Sequence, residues 1–397
     1  MYTIYNQSAD IYQNIYKLKD KLIFLLYSLY FILKPFYFWK SGLPQISDFI
    51  LVLLMIVYFT SNKFSISFNK RSVVFLKNGL LFVTWIIFVN GAWALKLQTS
   101  DSFILPTVYY MYNFLVTSII VSLYSQYKEK IIEITYKSVL LSVIIQTVIY
   151  FVNGGFSAGR MTMKFNNPNQ LGYYSLLMIA FLMFTSYHLK VSLKWFTIGI
   201  ISSIILNFAS LSKAAILSSS GLIFLYFFSK NENEHFKRRL ILILIFALLL
   251  IVVIYNTTTI IQNNNLINSV QRRIKSIGQD SDDNLEARGY YRIYEYPEYW
   301  LFGAGEGEYS RFRYQQIEFH STLGNIQVSY GLVGTLLFIN FMRLALKNDR
   351  YRSWYILLMI IIYGLTHNGI RNSLFWILLA LMASVQREPN IKIKNSK

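Results

Sequence analysis

Apolar runs separated by polar connections recur along the whole chain, at 22–39, 46–60, 73–95, 103–124, 131–152, 170–189, 195–210, 214–228, 240–256, 322–346, 354–366 and 370–385. A hydrocarbon core of about 30 Å takes about 20 apolar residues in helical form. The runs predict an all-α, polytopic integral membrane protein of about twelve transmembrane helices, forming one membrane domain over 1–397. Neighbours such as 195–210 and 214–228 are short for a complete crossing and predict tilted, broken or re-entrant helices. The first run is long, aromatic and carries Lys34-Pro35, which marks a retained helix rather than a cleaved signal peptide. A single long polar interval, 257–321, separates the ninth run from the tenth; it ends in Phe319-His320-Ser321-Thr322-Leu323, with Gly331 and Gly334 beyond.

Composition sharpens this picture. Hydrophobic residues make up 54% of the 397 and charged residues 14%, against about 25% charged in soluble domains, which excludes a soluble enzyme. The net charge of +19 raises nucleic acid as a partner, but the placement of the cations argues for a bilayer instead. With the N-terminus inside, clusters such as Lys17, Lys19 and Lys21, then Lys63, Lys70, Arg71 and Lys77, then Lys230, Lys237, Arg238 and Arg239, fall on one side. The short connections on the other side hold only Lys40, Lys96, Arg160, Lys164, Lys213 and Arg371. That asymmetry follows the positive-inside rule. It predicts both termini in the cytoplasm and the interval 257–321 as a large extracytoplasmic loop, with no nucleic-acid partner.

The absence of cysteine excludes thiol nucleophiles, thiolate metal sites and disulfides. His188, His235, His320 and His367 are scattered, and no pair has the helical spacing of a zinc site, so neither a metal nor a cofactor is expected. Gly303-Ala304-Gly305-Glu306-Gly307 lacks the apolar helix that a nucleotide-binding loop leads into and is read as a turn.

The outer cations are the anomaly. Arg160, Lys164, Lys213 and Arg371 occupy the side the topology rule disfavours, and Arg288 and Arg292 join them from the long loop. Ionisable groups retained there need partners. A phosphate-bearing lipid fits, because guanidinium groups grip phosphate oxygens in pairs; headgroup contact, or pairing with Asp282, Asp283 or Glu286, is the plainer alternative. Between 290 and 319, Tyr290, Tyr294, Tyr299, Trp300 and Phe312 interleave with Glu295, Glu306 and Glu318, an environment suited either to sugar or to a self-packed interfacial loop. Asn167-Pro168 predicts a helix start, as does Ser321 in the capping position after His320. A histidine at a positive helix end is favoured in its neutral form. Imidazole there would either accept a hydroxyl proton or donate to phosphate. His367 and Arg371 are spaced to share a helix face, beside Asn368.

Taken in order, Gly159-Arg160, Phe165-Asn166-Asn167-Pro168-Asn169-Gln170-Leu171-Gly172, Ser210-Leu211-Ser212-Lys213-Ala214-Ala215, Arg288 ahead of Trp300-Leu301-Phe302-Gly303-Ala304-Gly305, and His320-Ser321 with Leu323, Gly331 and Gly334 resemble the O-antigen polymerase and O-antigen ligase superfamily. The resemblance covers roughly 155–340, the first half matching in hydropathy only. Lys213 stands where the family usually has arginine, and Ser321 where asparagine is commoner. The resemblance implies a C-type glycosyltransferase-like membrane fold in the bacterial plasma membrane, acting on the outer face without a metal ion. Its donor would be an undecaprenyl-pyrophosphate-linked oligosaccharide, with Arg160, Lys213 and Arg288 on the pyrophosphate and His320 in the transfer chemistry. Arg292, His367 and Arg371 lie outside these motifs and are candidates for supporting positions on their placement alone. A chain-length regulator and a flippase of the same pathway are the expected protein partners.

Three activities follow from this reading. A polymerase would move a growing surface polysaccharide, whether O-antigen, capsule or exopolysaccharide, onto a new lipid-linked repeat unit. A ligase would pass finished glycan to another acceptor. A lipid-linked oligosaccharide flippase or other transporter is disfavoured, since no internal repeat is visible and the unusual charges cluster outside rather than at mid-membrane.

Overall fold

The computed structural model describes residues 2–62, 67–155, 160–228, 285–286, 288–313, 318–349 and 353–385. Among the described residues every regular element is helical: α1 (Tyr2–Leu33), α2 (Ile46–Ser61), α3 (Lys70–Leu97), α4 (Asp101–Tyr127), α5 (Glu129–Val152), α6 (Pro168–Ser186), α7 (Leu193–Ser210), α8 (Lys213–Phe228), the short α9 (Tyr291–Glu295), α10 (Thr322–Asn348), α11 (Trp354–Gly364) and α12 (Ser373–Ser384). Each apolar run except 240–256 coincides with one of α1 to α8 or α10 to α12; that run and residues 257–284 of the polar interval lie outside the described residues. The fold is that of a helical membrane protein. Among the described residues α3, α4, α5, α7 and α10 are long and apolar enough to cross a bilayer, while α2, α8, α11 and α12 are shorter apolar helices.

Local chemistry sets the boundaries. The first helix ends at Leu33, short of the expected 39, because the ring of Pro35 disfavours helical backbone at the residue before it. Asn167 caps α6 by accepting from the Gln170 amide at 2.9 Å, with Pro168 at the first helical position. Ser321 caps α10 through the Gly324 amide at 3.1 Å. Both starts agree with the sequence reading.

The chain forms two compact units. The first holds α1, α2, α5 to α8 and the end of α11, with α6 at its centre: Leu171 to Thr185 are all buried, so the helix is enclosed on every face. At Gly172 an added Cβ would lie 2.9 Å from the Ser210 hydroxyl oxygen and 2.8 Å from Ala215 Cβ, which is how closely the α7–α8 turn sits on the first turn of α6.

The second unit holds α3, α4, α9, α10, the start of α11 and α12. Its organising feature is a break in α10 at Gly331, where φ is 67° and ψ is −168°. A break frees carbonyls before it and amides after it, and buried backbone groups left unpaired are costly. Residues 300–305 fill the gap: Ala304 and Gly305 donate to the carbonyls of Val328 (2.8 Å) and Ser329 (2.7 Å), while Leu332 and Val333 donate to those of Trp300 (2.7 Å) and Leu301 (3.4 Å). The indole of Trp85 takes the remaining Tyr330 carbonyl at 2.8 Å. Only glycine fits at the crossing, since a Cβ at Gly303 would meet the Ser329 oxygen at 2.3 Å.

Candidate functional site

In the first unit the start of α6 gathers the expected cations. Arg160 donates from Nε to the Ser210 carbonyl at 3.1 Å and from its terminal nitrogen to Asn169 Oδ1 at 3.2 Å. Leu211 then turns left-handed (φ 48°), closing α7 so that Lys213, half-buried, opens α8 three residues after the carbonyl that Arg160 grips. Arg288 donates to the Thr366 carbonyl, and the Thr366 hydroxyl lies 2.9 Å from His367 Nδ1. The His367 ring stacks on Tyr363 at 4.8 Å, and the Tyr363 hydroxyl donates to the Asn169 carbonyl at 3.1 Å. Arg160, Arg288 and His367 are thus linked around one helix N-terminus, where amides and the helix dipole favour an anion, and Lys213 opens the helix after the turn that packs on it.

His320, Arg292 and Arg371 belong to the second unit. The His320 side chain is exposed, but the turn that carries it is pinned on both sides. Phe319 is buried against Tyr290 at 5.2 Å, and the Ser321 hydroxyl receives the Tyr290 hydroxyl at 2.9 Å as well as the Gly324 amide. Arg292 is not a surface cation: it is buried, with its guanidinium carbon 4.5 Å from the centre of the Phe312 ring and 5.5 Å from that of Tyr309.

The shared helix face expected for His367 and Arg371 is corrected. Residues 365–372 are a loop between α11 and α12, and the two side chains fall in different units. Asn372 caps α12 by accepting from the Leu374 amide, which restarts the helix and ends any continuous face. Arg371 instead joins two carboxylates: Glu306, which is fully buried, and Glu318, at 3.1 Å. Glu306 also receives the hydroxyls of Tyr110 (3.1 Å) and Tyr330 (2.9 Å), and Asn368 donates to Glu318 at 2.8 Å. Burial lifts the Glu318 carboxyl above its ordinary range against the pull of Arg371. Arg311 is pushed down to about 10, chiefly by desolvation.

Gly303-Ala304-Gly305-Glu306-Gly307, expected as a turn, has no regular structure over 303–305 and bends at 306–307, because its backbone pairs with the break in α10; Glu306 was not singled out. The available signal was a carboxylate between two glycines. Of the loop aromatics, Tyr291, Phe312 and Phe319 are self-packed, while Tyr294, Trp300 and Phe302 are 62%, 52% and 58% exposed. Among the described residues no group of histidine and acidic side chains could hold a metal ion. No protein-family model and no curated protein matches the chain.

Proposed function

We propose that the protein is a polysaccharide polymerase of the bacterial plasma membrane, a twelve-span protein with a C-type glycosyltransferase-like fold whose long loop faces outward. In this reading it moves a growing glycan from undecaprenyl pyrophosphate onto a new lipid-linked repeat unit. The glycosidic bond between the anomeric carbon and the phosphate oxygen breaks, the electron pair leaves with the pyrophosphate, and the acceptor hydroxyl forms the new bond and loses its proton. Cations fixed where that charge develops lower the barrier, and one such donor is typically worth about 10²–10³ in rate. His320 either accepts the hydroxyl proton or donates to phosphate.

The observation that supports the reading is the linkage of Arg160 and Arg288 around the amide-rich start of α6, with Lys213 at the start of the adjoining α8. A doubly charged phosphate ester is the ligand this combination suits best. The test is chain extension by purified protein in lipid bilayers supplied with lipid-linked repeat units. Arg160→Ala and Arg288→Ala should each remove extension at equal protein level, and normal polymer length from both would end the proposal. Deletion of the gene should leave single repeats without long chains. Full-length polymer retained on the lipid would instead identify a ligase.

A further inference from the structure

The chain Glu306–Arg371–Glu318 takes no part in the transfer step above, where Arg371 was expected only in a supporting position. One guanidinium spans three segments distant in sequence: the Glu306 segment threaded into the break of α10, the 318–321 turn, and the 365–372 loop. Its inner end is rigid, because Glu306 is fully buried and held by two tyrosine hydroxyls while its own amide donates to Asn90 Oδ1 at 2.9 Å. The outer end is softer: Glu318 retains 34% of its side-chain exposure and is met by Arg371 and Asn368. The same loop also ties to the helix start directly, as the Gly369 amide donates to the Thr322 hydroxyl at 3.0 Å. His320 is two residues beyond Glu318 and one before the cap.

We propose that Arg371 and Glu318 are positioning residues that clamp the His320 turn to the buried Glu306 anchor. The proposal rests on the assignment of transfer chemistry to His320. An exposed imidazole on an unanchored loop samples many orientations, whereas a turn held at residues 318, 319 and 321 leaves it little freedom. Displacement of a reacting group by about 1 Å costs about 10²-fold in rate, so a clamp of this kind is read in kcat rather than in substrate affinity.

Asn368 provides an internal control. Its Oδ1 has no hydrogen-bond partner among the described residues, so after Glu318→Gln the amide of Asn368 can flip and accept from the new donor while Arg371 keeps an oxygen to grip. Glu318→Gln therefore preserves the clamp, and Glu318→Ala removes its outer link. Arg371→Lys retains a cation but loses the fork that reaches both carboxylates.

The experiment uses the full chain in lipid nanodiscs, read by hydrogen exchange over residues 319–325 and by steady-state chain extension on lipid-linked repeat units. Glu318→Ala and Arg371→Lys should exchange about 10- to 100-fold faster in that segment, the loss of a charge-assisted hydrogen bond. Extension in both should fall by about 10- to 100-fold in kcat with KM within about twofold, and Glu318→Gln should restore both measurements. Unchanged exchange in Glu318→Ala overturns the clamp, and this variant sits at a partly exposed position where folding survives. Glu318→Gln as inactive as Glu318→Ala also overturns it, since the charge rather than the placement would then matter. A wild-type protein that extends no glycan yet shows this exchange pattern refutes the polymerase reading and upholds the clamp.

Discussion

Gly331→Ala tests how the break in α10 is held. The added Cβ would lie 2.3 Å from the Leu301 carbonyl oxygen and 2.7 Å from the Gly303 nitrogen, both backbone atoms that no rotamer change can move. A residue with a Cβ held at φ 67° and ψ −168° bears about 1–3 kcal/mol of strain. Relief requires residues 300–305 to withdraw, which gives up four backbone hydrogen bonds at about 0.5–1.5 kcal/mol each. Together these come to about 3–9 kcal/mol, comparable with the roughly 5–15 kcal/mol that stabilises a whole domain. The segment should therefore undock rather than tolerate the clash. Thermal unfolding of the full-length protein in detergent should show a midpoint lower by at least about 5 °C, with faster hydrogen exchange across 299–306. Gly91→Ala, in α3 with nothing within 4 Å of the added carbon, is the control and should be neutral or slightly stabilising. A Gly331→Ala protein with the wild-type midpoint and unchanged exchange would refute the account of the break.

Four further outcomes are expected. His320→Asn should slow chain extension by about 10²–10⁴-fold if the imidazole is a proton acceptor, with the wild-type rate declining as pH drops; a partial loss without that decline marks a phosphate donor, and normal chain length from His320→Ala removes both roles. Lys213→Arg should retain activity, as guanidinium supplies the same charge with a better phosphate fork, and an inactive protein at normal expression argues against phosphate there. Because burial raises the Glu318 carboxyl, the folded chain keeps that proton in a pH window above the ordinary carboxylate range where the unfolded chain has lost it, so this contribution to stability is present at acid pH and disappears as pH rises. Glu318→Gln should accordingly gain thermal midpoint relative to wild type as pH increases, and a difference that shrinks with rising pH would refute the raised carboxyl. Reporter fusions at Lys397 and near Gln279 should report opposite sides of the membrane.

Periodicity made the helices legible because burial in lipid or in protein demands the same apolar runs, and the caps at Asn167 and Ser321 followed from local hydrogen bonding. Tertiary partners were not legible. The runs 354–366 and 370–385 read as separate helices, but nothing in their spacing shows that residues of the connecting loop bond to Glu318 and Thr322. Glu306 was hidden for a related reason: hydropathy treats a carboxylate as a surface residue, and only the ring of Arg371, Tyr110 and Tyr330 makes its burial tolerable. The cations at 160, 213 and 288 were found from their unfavourable side of the topology, whereas the linkage through Asn169 and Tyr363 depended on the packing of α6.

The backbone that mends α10 lies upstream of it in the same chain, so it has already been synthesised when the helix emerges. Apart from the Trp85 indole, the break at Gly331 then finds its donors and acceptors on a tethered neighbour close in sequence, and the entropy of bringing them together grows only slowly with the length of that tether. Insertion of this helix does not have to wait for a distant part of the molecule. Were residues 289–320 made after α10 instead of before it, the helix would meet lipid with the carbonyls of Val328 and Ser329 and the amides of Leu332 and Val333 unpaired.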